Sequence, residues 1–297
     1  MNKKYPNLFI VGAAKCGTTS LHHFLSTHSE INMSEIKEPH FMIREYFKSK
    51  KFNGPGDMKI ISSYITNCKE YLTLFDDNKI NGETSPGYFS LPQFSIAEIK
   101  NFSKDPNIII CLRNPVQRTY SAYMHKCRDG HENVKLETIL QENLEEKRIM
   151  ENWGWGWNYI HDSFYFETVK QFQLNFKKVK IIFFEDLISK PQNVIDEVTE
   201  FLGVTQFDVP NKIAQKNKTG LPRYIIIKKL AETIYPYIPN LISEGVKNTI
   251  KNKFVYKPQL DRETVIHLEK LFQEDIIKLG DFLKINLFKK WNINKEL

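Results

Sequence analysis

The chain has 297 residues, 41% of them hydrophobic, so it is long enough to bury a sizeable core as one large domain. Its four cysteines show no zinc-binding spacing and are too few for a disulfide scaffold, which excludes a small stapled protein and indicates reduced thiols. A net charge of +7 favours anionic partners, whether nucleic acid, a polyanionic glycan or a small phosphorylated ligand.

The chain opens with the polar residues 1–7, which lead into a short apolar run, residues 8–11. This run is too short for the hydrophobic part of a signal peptide or for a membrane span, and no later run approaches about eighteen apolar residues. We therefore expect a cytoplasmic protein without a membrane span.

The first predicted strand, residues 8–11, is followed by a glycine-rich loop and a helix on which Leu21, Phe24 and Leu25 share a face. Glycines let such a loop turn its backbone N–H groups inward, and the helix N-terminus adds partial positive charge, so the pattern predicts a phosphate site. The alternative is a turn that only joins strand to helix. The candidate phosphate ligands are Ala14, Lys15, Cys16, Gly17, Thr18, Thr19 and Ser20.

A second predicted strand, residues 107–112, leads into Arg113 and then into a helix that starts at Pro115. The forked guanidinium of Arg113 can grip a phosphate, and Ser121, two helical turns on, can donate its hydroxyl to the same anion. The alternative is that the segment is only a turn and a helix cap. Because parallel strands end at one edge of a sheet, this loop and the first belong to one rim.

Further elements follow in the same alternating order. Residues 179–184 form a third predicted strand, helices precede and follow it, and residues 261–279 form a late helix with Gly280 as its stop. This alternation predicts an α/β, P-loop-like three-layer fold with a central parallel sheet flanked by helices. We expect a single domain over residues 1–297. The apolar face of the late helix comprises Leu268, Leu271, Phe272, Ile276 and Leu279.

Two anion sites on one rim suggest a ligand with separate phosphate groups, and the pair resembles the 5′- and 3′-phosphosulfate motifs of sulfotransferases that use 3′-phosphoadenosine-5′-phosphosulfate (PAPS). The chain is most similar to bacterial members related to heparan-sulfate sulfotransferases. The resemblance extends over most of the chain and implies one sulfotransferase domain with a mainly helical part from about residue 212. Further matching segments are residues 37–41, 82–89, 184–187, 201–204 and 218–223, and the ending through Trp291.

The resemblance implies a role for each motif. Lys15 and residues 17–20 would hold the 5′-phosphosulfate, with Lys15 near the bridging oxygen that gains charge. Arg113 and Ser121 would bind the 3′-phosphate, and Lys218, Gly220 and Arg223 belong to a segment that closes over it. PAPS would be the donor, the desulfated nucleotide PAP the product, and no metal would be required.

The resemblance also implies a general base, which must reach the acceptor's proton. Glu38 matches the glutamate that serves as base in related enzymes, and Pro39 is expected to keep its backbone extended. The alternative is a loop carboxylate paired with Lys37 or Arg44. Glu83 is the second choice, with a structural or lysine-pairing role as its alternative, and His40 is a further catalytic candidate. Relatives often carry lysine where this chain has Thr84, so a second donor at the sulfuryl group is left open.

Other conspicuous residues have structural explanations. His22, His23 and His28 lack partners at metal-binding spacing and are interpreted as structural, and His125 as a surface or packing residue. The three tryptophans of residues 153–157 either line an acceptor site or belong to a loop packed on the core.

Two other functions are open to this sequence. A P-loop kinase or NTPase would need a lysine after Gly17, where the chain has Thr18. A nucleic-acid binder is suggested by basic residues between positions 212 and 229, but they form no known module, so we expect no nucleic-acid partner. The sequence does not name the acceptor, a glycan or small molecule sulfated at oxygen or nitrogen, or the oligomeric state.

Overall fold

The structure, a computed structural model, describes residues 5–76, 80–210, 221–222, 255–256 and 259–294. Five strands form its central sheet, and they are β1 (Leu8–Gly12), β2 (Ile31–Met33), β3 (Ile80–Thr84), β4 (Asn107–Leu112) and β5 (Lys178–Phe183). All neighbouring strands are parallel, in the order β2-β3-β1-β4-β5.

The three predicted strands all form. Strands β1 and β4 are runs of large apolar side chains, whereas β5, at the edge of the sheet, also carries Lys178 and Lys180. Residues 8–11 of β1 and residues 108–112 of β4 are buried on both faces, which is typical of a parallel sheet covered by helices. One boundary differs, since Phe184 was assigned to the third strand but starts a helix.

The hydrophobic pattern of the sequence does not predict β2 or β3. The sequence of β3 is INGET, with no apolar alternation, because its polar side chains are satisfied inside the protein. The amide of Asn81, for example, bonds to the carbonyl of Asp76 at 2.7 Å and to the side chain of Asn32 at 3.1 Å. Hydrogen bonds inside the protein make this polar strand stable, and the hydrophobic pattern of a sequence does not reveal such bonds.

Helices flank the sheet and confirm the predicted α/β fold. The described α-helices are α1 (Thr18–Leu25), α2 (Arg44–Ser49), α3 (Asp57–Ile61), α4 (Cys68–Leu72), α5 (Gly87–Ser90), α6 (Pro92–Phe102), α7 (Pro115–Arg128), α8 (Leu136–Gln141), α9 (Leu144–Met150), α10 (Phe166–Asn175), α11 (Phe184–Ser189), α12 (Pro191–Leu202), α13 (Arg262–Leu283) and α14 (Leu287–Trp291). Short 3-10 helices lie at Phe41–Ile43, Trp155–Trp157 and His161–Ser163.

The late helix, α13, corrects two predictions. It continues through Gly280 and ends at Leu283, because Gly280 serves a close approach and does not terminate the helix. A Cβ at Gly280 would lie 2.9 Å from the carbonyl oxygen of Ile285. Leu271 is 38% exposed and does not belong to the buried face, whereas the other four predicted residues do.

The C-terminal part is described only in pieces. Leu221–Pro222 pairs antiparallel with Val255–Tyr256, and α13 and α14 follow. Lys218, Gly220 and Arg223 lie outside the described residues, as does most of the helical part predicted from residue 212.

The order of the strands places four loops at one sheet edge. The carboxyl ends of β3, β1, β4 and β5 are neighbours, so the segments that leave them lie side by side. This is the edge at which open parallel sheets bind ligands.

Candidate functional site

The loop between β1 and α1, residues 12–17, has a backbone that requires glycine. Gly17 has a φ of 89°, and a Cβ there would lie 2.9 Å from Cδ2 of Phe184. Lys15 is also left-handed, with a φ of 71°, although it is not glycine. Such positions are uncommon and are found where the surroundings enforce them, often at binding sites.

Lys15 lies among charged groups of both signs. Burial, and next the Arg128 guanidinium, lower the pKa of Lys15 to about 8, while Glu38 opposes the shift. Arg118 lowers the pKa further, and Asp129 opposes it. An anion bound at this loop would relieve the repulsion between Lys15 and the two arginines.

Arg118 is a residue whose role the sequence analysis did not assign. It is buried, its Nε donates to the carbonyl of Ala14 at 3.0 Å, and its Nη1 donates to the carbonyl of Tyr159 at 2.9 Å. Asp162 pairs with it at 3.3 Å. Arg118 thus fastens the β1–α1 loop to residues 158–163. Only its position in the helix after Arg113 hinted at this role.

Arg113 reaches the same loop from the end of β4. Its Nη1 donates to the carbonyl of Lys15 at 3.3 Å, and its guanidinium lies 4.4 Å from the centre of the Phe184 ring. The hydroxyl of Tyr165 donates to the carbonyl of Arg113 at 3.0 Å. The structure therefore brings Lys15 and Arg113 together, as the sequence predicts.

Asn114 has the capping role considered for this segment. Its side chain accepts from the backbone N–H of Gln117 at 3.1 Å and caps α7. Its own N–H donates to Glu185 at 3.0 Å, and its side chain donates to the carbonyl of Trp291 at 3.1 Å. The cap therefore also supports the adjacent Arg113.

Of the other predicted phosphate ligands, Thr18 and Ser121 are buried and Ala14, Thr19 and Ser20 are partly exposed. Cys16 is fully buried, burial raises the pKa of its thiol to about 11, and its backbone N–H donates to the carbonyl of Ala13 at 3.3 Å. The dipeptide Leu221–Pro222 lies against α7, the helix of Ser121.

Glu38 lies in a turn, residues 37–42, that we call the Glu38 turn. The expected extended backbone is wrong, because Glu38 has a φ of 62° and its N–H donates to the carbonyl of Thr84 at 3.0 Å. Its side chain is 36% exposed and pairs with Lys37. Burial raises its pKa, but His40 and Lys37 outweigh that effect and lower it to about 2. Glu38 is therefore ionised at neutral pH.

His40 lies behind Glu38 and is fully buried. Its Nε2 is 3.8 Å from the Glu38 carboxylate, and its ring centre is 4.2 Å from that of Tyr64 and 5.4 Å from that of Trp155. Within the described residues, neither ring nitrogen has a hydrogen-bond partner. Burial lowers the pKa of His40 while Glu38 opposes the shift.

Glu83, the third catalytic candidate, is fully buried beneath the Glu38 turn. Three hydroxyl groups donate to its carboxylate, those of Tyr71, Ser85 and Tyr88. Burial raises its pKa, and these hydrogen bonds oppose the shift. The structure therefore places Glu83 away from the exposed side of the turn.

Thr84, at the position where relatives often carry lysine, hydrogen bonds to His22. Its Oγ1 lies 2.9 Å from Nδ1 of His22 on α1. Burial and then the charge of Lys37 lower the pKa of His22 to about 4, so this ring is neutral. His22 and Thr84 therefore form a neutral hydrogen-bonded pair. The spacing of the histidines in the sequence does not predict this pair.

The tryptophan segment packs partly in the core and partly beside the Glu38 turn. Trp157 is buried and its Nε1 donates to Asp57 at 3.0 Å, and the N–H of Gly154 donates to the same carboxylate at 2.6 Å. Trp155 is partly exposed and lies beside His40. One ring therefore packs in the core while another borders the Glu38 turn.

Among the described residues, no three side chains of His, Cys, Asp or Glu are grouped as a metal site would require. None of the described helices has the length and apolarity needed to cross a membrane.

Comparison with known proteins shows what this chain is similar to. A family model described as a sulfotransferase domain matches residues 5–280. Human heparan sulfate glucosamine 3-O-sulfotransferase 3B1 is 26% identical over 92% of this chain and 62% of its own length. The bifunctional heparan sulfate N-deacetylase/N-sulfotransferase 1 of Caenorhabditis elegans is 24% identical over 97% of this chain and 30% of its own length. The chain thus spans less than two thirds of either relative.

A solved structure matches over the whole fold. The crystal structure of a sulfotransferase from Alicyclobacillus acidocaldarius superposes with a TM-score of 0.75 and 29% identity, covering 97% of this chain and 98% of that one.

Proposed function

Since the chain belongs to the sulfotransferase domain family, we propose that it transfers a sulfuryl group from PAPS to a hydroxyl or amine of a glycan or small-molecule acceptor. The observation that carries the proposal is the contact between the two loops proposed to bind anions, in which Arg113 donates to the carbonyl of Lys15 at 3.3 Å. One ligand with two phosphate groups matches this pair of loops.

The β1–α1 loop would hold the 5′-phosphosulfate through its N–H groups, Thr18, Thr19 and Ser20, in the partial positive charge of the α1 N-terminus. Arg113 and Ser121 would hold the 3′-phosphate. The two arginines that act on Lys15, Arg118 and Arg128, fit such a polyanion. Lys218, Gly220 and Arg223 remain proposed contacts on the sequence resemblance.

The reaction forms a bond between the acceptor atom and sulfur and breaks the bond between sulfur and the bridging oxygen. Lys15 would stabilise the charge that this oxygen gains, and Glu38 would take the acceptor's proton. Glu38 fits a base because it is ionised and partly exposed. His40 and Trp155 would border the acceptor.

The family match covers the loop on which the kinase alternative was based, and Thr18 stands where a kinase needs lysine.

A Mg²⁺-independent reaction and a cytoplasmic location belong to the same proposal. Fractionation of cells that produce the protein tests the location.

The donor is tested by thermal unfolding. PAP without Mg²⁺ should stabilise the protein by about 2.7 kcal/mol at a hundredfold excess over its Kd. Equal stabilisation by ATP with Mg²⁺ would contradict the proposal. Mass spectrometry of candidate acceptors incubated with PAPS and the protein then identifies the acceptor and the sulfated atom.

A further inference from the structure

A buried hydrogen-bond network lies beneath the Glu38 turn, with Glu83 at its centre. One carboxylate oxygen of Glu83 accepts from the hydroxyls of both Tyr71 and Tyr88, each at 2.6 Å. The other oxygen accepts from the hydroxyl of Ser85, also at 2.6 Å. All these side chains are fully buried, and the proposed reaction uses none of them.

Two of the three hydroxyls also hold the backbone of the Glu38 turn. The hydroxyl oxygen of Ser85 accepts from the N–H of His40 at 3.1 Å, and that of Tyr88 accepts from the N–H of Met42 at 3.1 Å. Because each hydroxyl donates its proton to Glu83, its lone pairs are left to accept these N–H groups. Glu83 therefore determines the direction of both chains of hydrogen bonds.

Tyr71 differs from Tyr88 in one respect. Its hydroxyl donates to the same oxygen of Glu83 at the same distance, but its ring stacks on Phe41, 4.1 Å between ring centres, and its hydroxyl holds no backbone N–H of the turn. The chain thus contains two tyrosines that both donate to Glu83, of which only Tyr88 also hydrogen bonds to the backbone of the turn, while Tyr71 contacts the turn through the ring of Phe41.

The turn needs external support because its conformation is unfavourable. Glu38 and His40 are non-glycine residues with φ angles of 62° and 52°, in the left-handed region. Such residues persist only where surrounding contacts over-determine them. The bonds from Ser85 and Tyr88 supply these contacts on the side of β3.

We propose that Glu83 is a positioning residue that, through Ser85 and Tyr88, holds the Glu38 turn in the conformation that presents the Glu38 carboxylate to the acceptor. This inference deepens the proposed function and rests on Glu38 as the base. Glu83 is not a catalytic residue, since it touches no reacting atom.

The test compares Tyr88→Phe and Ser85→Ala with the control Tyr71→Phe. Deuterium exchange measured on peptides spanning residues 38–43 should quicken in the first two variants and stay unchanged in Tyr71→Phe. With one identified acceptor, kcat should fall roughly 10- to 100-fold in the first two, because a small misplacement of a catalytic group is costly. In Tyr71→Phe it should stay within about twofold, as should the Kd for PAP in all three.

Equal losses of kcat in Tyr71→Phe and Tyr88→Phe would overturn the proposal, since the network would then support only the fold. Unchanged exchange in Tyr88→Phe would overturn it as well. The melting temperatures of the two tyrosine variants show whether their stabilities are matched, and Ser85→Ala provides the decision if Tyr88→Phe does not fold.

Measurements in the Glu38→Gln variant test the positioning role of Glu83 separately from the assignment of Glu38 as the base. In Glu38→Gln, adding Tyr88→Phe should reduce kcat by no more than about twofold, because the group being positioned is already lost. If Glu38→Gln alone keeps full activity, the base is wrong and the proposal falls with it, although the exchange results still show what holds the turn. A full further loss in the double variant would contradict the proposal while leaving the base intact.

Discussion

The β1–α1 loop and the Glu38 turn lie at the same sheet edge, but they are held in different ways. The loop is shaped by glycines within it and by the strand and helix directly beside it in sequence. The Glu38 turn is held mainly from outside, since Ser85 and Tyr88 lie more than forty positions from the backbone groups they bind. A local motif therefore shapes the proposed donor site, with Arg113 and Arg118 contacting it from distant positions, while the proposed base has no such motif and depends on tertiary contacts.

This difference has a practical consequence. Substitutions that damage the β1–α1 loop should be found within its own sequence or at Arg113 and Arg118, and they should affect the donor. Substitutions that damage the Glu38 turn should also be found far away in sequence and should spare the donor. The following predictions test that division, from the largest expected effect to the smallest.

Glu38→Gln should lower kcat roughly 10²- to 10⁴-fold, because the side chain keeps its shape and loses its basicity. The Kd for PAP should barely change, since Glu38 is assigned to neither phosphate. Steady-state kinetics with an identified acceptor and calorimetry with PAP measure the two quantities. His40→Ala and Glu83→Gln are the comparison variants. If either is nearly inactive while Glu38→Gln turns over normally, the base has been misassigned.

Lys15→Ala should lower kcat roughly 10²- to 10³-fold and weaken PAP binding less, because the charge on the bridging oxygen grows in the transition state. Rapid-quench measurement of the transfer step gives the rate, and PAP titration gives the affinity. A change in KM with an unchanged kcat would assign Lys15 to ground-state binding and would remove the catalytic function of the loop.

Arg113→Ala should weaken PAP binding by about 1.5–3 kcal/mol, the usual contribution of a hydrogen bond to a charged group. Ser121→Ala should cost less, about 0.5–1.5 kcal/mol, because it removes a neutral donor. Both variants are titrated with PAP and with adenosine 5′-phosphate, which lacks the 3′-phosphate. If the two ligands lose equal affinity, Arg113 does not bind the 3′-phosphate.

The pH profile of kcat/KM should show an alkaline limb caused by Lys15 of the loop. It should show no limb caused by Glu38 of the turn near neutral pH. Lys15 has a pKa of about 8, so its charge is lost as the pH rises through that value and kcat/KM should fall above it. Glu38, with a pKa of about 2, stays ionised, so it should cause no loss down to about pH 5. Lys15→Arg should move the alkaline limb upward, and an unmoved limb would assign it to another group.

The sequence predicted the parts of the fold that are locally hydrophobic. Strands β1 and β4 are continuous apolar runs, and Pro115 and Pro191 start α7 and α12 as expected. Strand β3 escaped prediction because its polar side chains are bonded inside the protein. The predicted helix stop at Gly280 is wrong. In a sequence, a glycine required for close packing cannot be distinguished from a glycine that ends a helix.

The candidate site divides in the same way. The sequence by itself determined the β1–α1 loop and its neighbour Arg113, because glycine spacing and strand order place them at one edge. Only the tertiary structure decided that Glu38 is left-handed and that Glu83 lies beneath it. Proline at position 39 favours an extended residue before it, but hydrogen bonds from β3 and α5 override that preference. Partners so distant in sequence leave no local pattern, so only the folded chain shows them.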